Sequence, residues 1–312
     1  MTLTLFAGSA HPGLGAAVAA GLGQELGASE IHAFPDSELS VGLRQSVRGH
    51  DVYILQPTAP PTVERHLVEL LLLADAARRA GAARLTAVIP YLGYARQDRR
   101  ATGREAGAAR VIADLIDTRG FARLVALHLH SVALEGFFGT PVEHLSAVPL
   151  LATALAPQLP ADGVVVAPDL GAAKLAERYA RVLRLPVAIV HKERQAGAEV
   201  SVRAITGDVR NRVPIIVDDM ITTGATIVAA QTALVAAGCK PGLIVAATHP
   251  LLVDGAVGRL RTLNPRRLIV TDSVAARENP SSFEVVSVAS LLAEAISRLH
   301  HERSLQDLLA HE

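Results

Sequence analysis

Aromatic residues make up only 3% of this 312-residue chain, and tryptophan is absent. The core must therefore be built mainly from alanine, leucine and valine. The only cysteine is Cys239, so no disulfide can form within the chain, and this scarcity is typical of a reducing compartment. The length is sufficient for two α/β domains that each bury a core of their own.

The chain also has no excess of charge of either sign. Its 30 lysines and arginines balance 30 aspartates and glutamates, which argues against nucleic acid as the main partner. The first residues, MTLTLFAGSA, lack the basic and apolar regions of a signal peptide. No run of about 18 residues is free of charge and proline, so a membrane span is not expected. We therefore expect a cytoplasmic protein that binds neither nucleic acid nor membrane.

Strand-like and helix-like runs alternate along nearly the whole chain. Strands are predicted at residues 3–7, 52–56, 85–90, 124–128, 164–168, 187–191, 215–218, 243–248 and 268–271. Helices are predicted at residues 13–26, 63–79, 107–118, 148–159, 170–183, 227–237 and 290–309. Such alternation is typical of parallel sheets with helices on both faces. Residues 157–163, PQLPADG, place a domain boundary near the middle of the chain.

Two neighbouring aspartates at the end of an apolar run are the most informative feature. In VPIIVDDMITTGAT (213–226), a predicted buried strand ends at Asp218 and Asp219, and a turn of small and hydroxyl residues leads into a helix. The N–H groups of such a turn and of the helix start can bind an anion. The carboxylates could hold sugar hydroxyls or a metal ion. The segment therefore predicts a sugar-phosphate site, and a turn whose aspartates face water is the alternative.

A cluster of arginines follows the predicted strand 85–90. The segment PYLGYARQDRR (90–100) places Arg96, Arg99 and Arg100 around Gln97 and Asp98. Ligands of open α/β sheets bind at the carboxyl ends of strands, and arginine can pair with phosphate through two parallel hydrogen bonds. The pattern indicates a polyphosphate clamp, with a solvated surface run as the alternative. The glycine fingerprint of dinucleotide-binding folds and the P-loop motif are both missing.

These segments resemble, in order along the chain, those of the ribose-phosphate diphosphokinases, also called phosphoribosyl pyrophosphate synthetases. The resemblance is also carried by FPDSELSV (34–41), SVRGHDVYILQPTAPP (46–61), EGFFGTPVEH (135–144), APDLG (167–171) and ATHPLL (247–252). It extends from LFAGSAHP near the N-terminus to LLAEAISRLHHERS near the C-terminus.

The resemblance implies an α/β chain with two type I phosphoribosyltransferase-like domains, each a mainly parallel sheet flanked by helices, related by a pseudo-two-fold axis. Residues 1–147 would form the ATP side and residues 148–312 the ribose 5-phosphate side, with the last helix packing back on the first domain. The implied reaction transfers the β,γ-diphosphoryl group of ATP to the anomeric hydroxyl of ribose 5-phosphate. Its products are 5-phosphoribosyl 1-diphosphate and AMP.

Matching residues in the second domain take roles from the family. The resemblance implies that Asp218, supported by Asp219, binds the ring hydroxyls of ribose 5-phosphate. It also implies that the loop after these two aspartates binds the phosphate. That loop consists of Thr222, Thr223, Gly224, Ala225 and Thr226. In the segment HKER (191–194), Lys192 and Arg194 match the cationic catalytic residues, and Arg194 is also expected to contact ribose 5-phosphate.

The resemblance also implies three further groups of residues, two that contact ATP and one that is associated with the metal ion. A neighbouring subunit of a homo-oligomer would supply the adenine contact through Phe34, Asp36, Ser37 and Glu38. The phosphate path would be lined by Arg96, Gln97 and Arg99. The pair associated with Mg²⁺ would be His130 and Asp169. Because magnesium prefers oxygen ligands and keeps several waters, His130 is expected to act through a water or on phosphate.

Some positions depart from the family pattern. His128 stands where the family usually has an aspartate, and Val132 replaces an acid, so negative charge is lost near the implied metal site. Thr222, Ala225 and Glu193 replace a usual aspartate, glycine and arginine. These departures are typical of a divergent branch.

Two alternatives to an active synthetase follow from these observations. A catalytically weak paralogue that modulates an active synthetase is favoured by His128, Val132 and Thr222. A salvage phosphoribosyltransferase would share the phosphate loop, but it needs no site for an ATP polyphosphate. The retained cationic residues and the complete arginine segment favour the active synthetase.

Overall fold

A computed structural model describes residues 1–100, 102–194, 200–276 and 282–310, and for residues 192–194 and 200–203 it describes the backbone alone. The chain divides into two compact units. The first comprises residues 1–146, 273–275 and 287–312, and the second comprises residues 147–272 and 276–286. Each unit has its own mainly parallel sheet, so the predicted fold class is confirmed. No helix in the described ranges is long and apolar enough to cross a membrane.

The first unit is built on a five-stranded parallel sheet. Its elements before the domain boundary are β1 (Leu3–Ala7), α1 (Pro12–Gly21), β2 (Ser29–Ala33), β3 (Leu39–Leu43), β4 (Asp51–Leu55), α2 (Val63–Arg79), β5 (Arg84–Ile89), α3 (Ala108–Asp117), β6 (Arg123–Leu127) and β7 (Val142–Leu145). The sheet order is β1-β4-β5-β6-β7, and β2 and β3 form a separate antiparallel hairpin.

The helix α2 illustrates how the sequence builds this unit. Leu67, Leu70, Ala74 and Ala77 recur at spacings of three and four residues, which places them on one face of the helix. They pack with sheet residues such as Ile54 in one buried cluster. The β2–β3 hairpin packs against the same cluster through three partly buried residues, Ile31, Val41 and Leu43.

The second unit has a seven-stranded sheet. Its elements are α4 (Val148–Leu155), β8 (Gly163–Ala167), α5 (Ala173–Leu183), β9 (Val187–Arg194), β10 (Val200–Thr206), β11 (Val213–Ile221), α6 (Ala225–Ala236), β12 (Ile244–Pro250), α7 (Ala256–Thr262), β13 (Arg267–Thr271) and β14 (Glu284–Val286). The order is β10-β9-β8-β11-β12-β13-β14, and only β9 and β10 pair antiparallel. The central strands are buried β-branched runs, as expected for strands covered on both faces.

The chain returns to the first unit in α8 (Ala289–His300), which packs against α1. The two helices approach closely, since a Cβ added at Gly21 would lie 3.0 Å from the Cβ of Ala293. The helix was predicted to continue to residue 309, but it ends at His300, shortly before Glu302 adopts a left-handed backbone with φ of 55°.

A buried carboxylate fixes the end of α8 to the first sheet. Asp51 is fully buried and accepts hydrogen bonds from Arg84 and from the hydroxyl of Tyr53. Its Oδ2 atom also lies 2.8 Å from Nδ1 of His300. Burial alone would raise the pKa of Asp51, but the hydrogen bonds from Arg84 and His300 outweigh it and hold that pKa below its usual range.

Most predicted strands and helices agree with the structure in position, but several helices are shorter than predicted. The first helix was expected to end at residue 26, but α1 ends at Gly21, shortly before Gly23 adopts a left-handed φ of 70°. The helix predicted at 148–159 ends at Leu155, and the one predicted at 170–183 begins at Ala173. The strand with the two aspartates was expected to end at residue 218, but β11 continues to Ile221 because β12 pairs beside it as far as Pro250. The following helix begins at Ala225, two residues before its predicted start. The sequence patterns missed β2, β3, β7, β10, β14 and α7, and apart from β10 these elements are short or half exposed.

Candidate functional site

The strand order of the second unit reverses between β8 and β11, because the chain runs from β8 to β9 on one side and then to β11 on the other. In open α/β sheets such a reversal leaves a crevice at the carboxyl ends of the two strands, where ligands bind. Asp169 follows β8, and the aspartates and the hydroxyl-rich loop lie in and after β11. The fold therefore brings Asp218, Asp219 and the hydroxyl-rich loop, which were predicted to bind ribose 5-phosphate, to the carboxyl end of the sheet. Arg194, predicted to bind the same substrate, lies on β9 beyond its pairing with β8.

The loop after β11 is held from behind by the segment that follows β12. The carbonyl of Ile221 accepts from the N–H of Leu252, and the carbonyl of Thr222 accepts from that of Val253, both at 3.0 Å. The Arg259 guanidinium donates to the carbonyl of Thr223 at 2.7 Å. Three successive carbonyls are thus occupied, which fixes the orientation of the loop peptides.

The opposite side of these peptides suits an anion. Gly224 has a left-handed φ of 76° and caps the 12-residue helix α6. The N–H groups of Thr222, Thr223 and Gly224 donate to no acceptor among the described residues. A helix start with such N–H groups attracts negative charge. Ala225 and Thr226 form the first turn of α6, so all five predicted loop residues lie in this one structure.

The carboxylates of Asp169, Asp218 and Asp219, at the carboxyl end of the sheet, repel one another. Partial burial, followed by the negative charges of Asp219 and Asp169, raises the pKa of Asp218 well above its ordinary value. The N–H of Asp219 donates to Oδ1 of Asp218 at 2.9 Å. A cation or the hydroxyl groups of a sugar would relieve this repulsion.

The carboxylate of Asp169 is oriented by its own loop. Its Oδ1 accepts from the N–H groups of Gly171 and Ala172 at 3.0 and 3.3 Å. Across the described ranges, no three side chains of the types that bind metals converge as a cluster. Oxygen donors without a closed cluster fit magnesium, which keeps several waters and binds proteins through one or two carboxylates together with substrate phosphates.

The strand β9 carries the predicted catalytic residues beyond the sheet. It pairs with β8 only from Val187 to Ile189, and the rest of β9 is paired with β10 alone. Lys192 and Arg194 lie opposite Val202 and Val200 in this two-stranded extension. The side chains of Lys192 and Arg194 lie outside the described residues.

In the first unit, the predicted adenine contact lies at the tip of the β2–β3 hairpin. Phe34 is 49% exposed, and its ring packs edge-on against His32 at 5.3 Å. The N–H of Ser37 donates to the carbonyl of Phe34, and that of Glu38 donates to Oδ1 of Asp36. The tip is therefore an ordered turn that presents an aromatic ring and two carboxylates to solvent.

The predicted phosphate path leaves the carboxyl end of β5. Arg96, Gln97 and Arg99 are all exposed. The segment starts at a tight packing point, since a Cβ at Gly93 would lie 2.6 Å from the carbonyl oxygen of Thr58.

His130 lies in the exposed turn after β6. It belongs to the first unit and Asp169 to the second, so the implied magnesium pair remains a prediction. Of the two departures nearby, His128 is buried with a left-handed φ of 47°, whereas Val132 is 49% exposed. Sequence reasoning missed Arg259, because no local pattern shows that it reaches Thr223 from 36 residues away.

Comparisons with known proteins identify the family of this chain. Residues 3–120 match a family described as the N-terminal domain of ribose phosphate pyrophosphokinase, and residues 198–310 match the phosphoribosyl synthetase-associated domain. Ribose-phosphate pyrophosphokinases of Staphylococcus epidermidis and Staphylococcus aureus are each 40% identical to this chain, and the matches cover 98% of this chain and 97% of theirs.

A crystal structure of phosphoribosylpyrophosphate synthetase from Mycobacterium smegmatis has a similar fold. The TM-score is 0.90 at 38% identity, and the match covers 97% of this chain and 100% of that chain. The alternatives of a weak paralogue and a salvage phosphoribosyltransferase are not favoured by these matches. The chain belongs to the ribose-phosphate pyrophosphokinase family, and it is an enzyme of phosphoribosyl pyrophosphate synthesis.

Proposed function

We propose that the second unit binds ribose 5-phosphate at the reversal of strand order and that the chain transfers the diphosphoryl group of ATP to it. The observation that carries this proposal is the loop after β11, whose carbonyls are held while its N–H groups face no acceptor in the described part of the chain. The 5-phosphate would bind the backbone of Thr222, Thr223 and Gly224 and the first turn of α6. Asp218 and Asp219 would accept hydrogen bonds from the ring hydroxyls.

We propose that ATP binds on the side of the first unit, residues 1–147, and that residues 148–312 form the sugar side. Arg96, Gln97 and Arg99 would contact the phosphates, since exposed arginines pair well with phosphate oxygens. Phe34 with its neighbours at the hairpin tip would reach the adenine of an adjacent subunit, which requires a homo-oligomer. An exposed aromatic ring on an ordered turn supports that assignment.

Magnesium would be associated with Asp169 and His130. When bound, the ion would neutralise part of the charge on the ATP phosphates. Asp169 can take this position because its carboxylate is already oriented by the N–H groups of Gly171 and Ala172. The repulsion that raises the pKa of Asp218 also favours a cation at the carboxyl end of the second sheet.

The reaction would proceed by attack of the anomeric hydroxyl oxygen on the β-phosphorus of ATP. The bond between that phosphorus and the oxygen bridging to the α-phosphate breaks, AMP leaves, and the proton of the anomeric hydroxyl is released to solvent. Such a transfer depends on in-line positioning and charge stabilisation rather than on covalent catalysis. Lys192 and Arg194, on the extension of β9, would meet the negative charge of the transferring group.

Isotope labelling tests this mechanism. Ribose 5-phosphate carrying ¹⁸O at the anomeric hydroxyl is incubated with ATP, Mg²⁺ and the full chain, and products are analysed by mass spectrometry. We expect equal amounts of AMP and phosphoribosyl diphosphate, with the label in the bridge between sugar and diphosphate. Loss of the label would indicate attack at the sugar carbon, and AMP without phosphoribosyl diphosphate would contradict the assignment of the acceptor.

A further inference from the structure

A buried histidine in β7 makes two hydrogen bonds that the proposed mechanism does not use. His144 is only 2% exposed. Its Nε2 atom lies 2.8 Å from the backbone nitrogen of Leu129, and its Nδ1 atom lies 2.9 Å from Oε1 of Glu135. Leu129 immediately precedes His130, so the ring of His144 bonds directly to the turn that carries the proposed magnesium-associated histidine.

The two partners determine the state of the ring. The N–H of Leu129 can only donate, so Nε2 must offer its lone pair and carry no proton. The single ring proton is then on Nδ1, where the carboxylate of Glu135 accepts it. His144 is therefore a neutral imidazole in one tautomer, fixed by an acid on one side and an amide on the other.

The strand β7 also forms a hydrogen bond with His128, the residue before Leu129. The N–H of His128 donates to the carbonyl of Leu145 at 2.9 Å, and His128 has a left-handed backbone that a residue with a side chain rarely adopts. Two successive N–H groups of the turn are thus bonded to two successive residues of β7. After His130, the hydroxyl of Ser131 accepts from the N–H of Ala133 and starts a short 3₁₀ helix.

The strand β7 is itself secured on its outer side. The N–H of Ala310 donates to the carbonyl of His144 at 2.8 Å, and the N–H of Ser146 donates to the carbonyl of Leu308 at 2.9 Å. On its inner side β7 pairs with β6, with His144 opposite Ala126. The backbone of His144 is therefore hydrogen-bonded on both sides, so the ring of His144 is a rigid support for the turn.

We infer that His144 and Glu135 are positioning residues for His130. Glu135 fixes the tautomer of His144, His144 holds the N–H of Leu129, and this bond sets the direction in which the turn presents His130. The inference rests on the proposed role of His130. Residues that orient a functional histidine are often worth about 10- to 100-fold in activity when they are removed.

A set of single variants tests the hydrogen bonds. We expect His144→Leu, which removes the acceptor for Leu129, to lower kcat about 10-fold or more. His144→Gln should retain most of the turnover, because its side-chain oxygen can reach the position of Nε2. Glu135→Leu keeps the ring but frees its tautomer, and we expect a loss of a few-fold that Glu135→Gln restores. Thermal unfolding of each variant identifies any that fails to fold, and the Glu135 pair then carries the test.

A double-mutant cycle with His130→Ala separates positioning from general damage. If His144 acts through His130, adding His144→Leu to His130→Ala should lower kcat little further. Full additivity, or unchanged turnover in both His144→Leu and Glu135→Leu, would overturn the inference while leaving the role of His130 intact. Normal turnover in His130→Ala would overturn the role of His130 and the inference with it.

The tautomer can be observed directly. In protein labelled with ¹⁵N-histidine, the resonance that disappears in His144→Gln identifies His144. We expect its Nδ1 shift to be that of a protonated nitrogen and its Nε2 shift that of an unprotonated one. The opposite assignment would contradict the proposed hydrogen bonds.

Discussion

Each unit contains an aspartate that is fully or partly buried, and the two carboxylates have opposite pKa shifts. Asp51 in the first unit has a lowered pKa because Arg84, Tyr53 and His300 surround it with hydrogen bonds that outweigh its burial. Asp218 in the second unit has a raised pKa because of its burial and because its charged neighbours are acids. The first carboxylate is a completed structural contact, whereas we propose that the second binds a ligand that supplies hydrogen-bond donors or positive charge.

Strand order explains where this difference arises. The strands of the first sheet follow one another in a single direction, β1-β4-β5-β6-β7, so no reversal opens a crevice between them. The second sheet reverses between β8 and β11, and the acids and the proposed phosphate-binding loop lie there. The proposed ATP contacts of the first unit lie instead on an exposed hairpin and an exposed segment, where a neighbouring subunit can complete them.

The largest expected effect concerns the proposed catalytic residues on the extension of β9 in the second unit. We expect Lys192→Ala to lower kcat by about 100-fold or more, since one charge stabiliser of a transition state is worth roughly 3–4 kcal/mol. The measurement is AMP formation at saturating substrates, with the melting temperature as a check of folding. Lys240→Ala is the matched control, because Lys240 forms an ion pair with the exposed Asp162 on the surface of the same unit. Near-normal turnover in Lys192→Ala would contradict the assignment.

The second prediction tests Asp51 as a structural contact. We expect Asp51→Asn to lower the free energy of unfolding of the first unit by about 3 kcal/mol, because it leaves Arg84 and His300 without their buried partner. Hydrogen exchange of the amides in α8 reports this locally. The control Asp162→Asn breaks an exposed ion pair and should change stability by less than about 1 kcal/mol. Equal effects of the two variants would refute the distinction.

The third prediction concerns the exposed hairpin of the first unit. We expect Phe34→Ala to raise KM for ATP about tenfold, the usual value of one base–aromatic contact, with little change in KM for ribose 5-phosphate. Val111→Ala removes an equally exposed apolar residue from α3 and should change neither constant. A parallel rise of both constants would argue against the adenine contact.

Mixing two defective variants then tests whether the hairpin acts between subunits. Phe34→Ala and Lys192→Ala chains are combined, allowed to exchange subunits, and assayed at low ATP. If the tip of one subunit serves the site of another, mixed oligomers contain some sites with both residues intact. Activity above the sum of the separate variants supports the arrangement, and a simple average excludes it.

The smallest expected effect concerns the free energy of unfolding, which ionisation of Asp218 lowers. Because its pKa is raised in the folded protein, ionisation makes the native state less stable as pH rises from the unfolded pKa through the folded one. Without substrates and Mg²⁺, we expect Asp218→Asn to be more stable than the parent by about 1 kcal/mol near neutral pH. The difference should vanish below the ordinary aspartate value of 3.8, as measured by denaturant unfolding across pH. A variant that is less stable at every pH would contradict this account.

Much of the fold and part of the site could be predicted from the sequence. The β-branched runs and the helical spacing of α2 predict their elements because both are local properties of the chain. The loop after β11 is predicted as an anion site because hydroxyl residues and glycine stand at a strand–helix junction. The half-exposed β2–β3 hairpin was missed because its strands lack the clear alternation of buried and exposed residues.

The sequence by itself determined the family, the alternation of strands and helices, and the chemical groups offered to a sugar phosphate. Tertiary structure decided which of these groups meet. The reversal of strand order, the support of Thr223 by Arg259 and the bond from Leu129 to His144 all join residues distant in sequence. Such contacts depend on how strands are ordered and registered. The pKa shifts of Asp51 and Asp218 follow from the same contacts, since a pKa responds to the charges and the water around a carboxyl group.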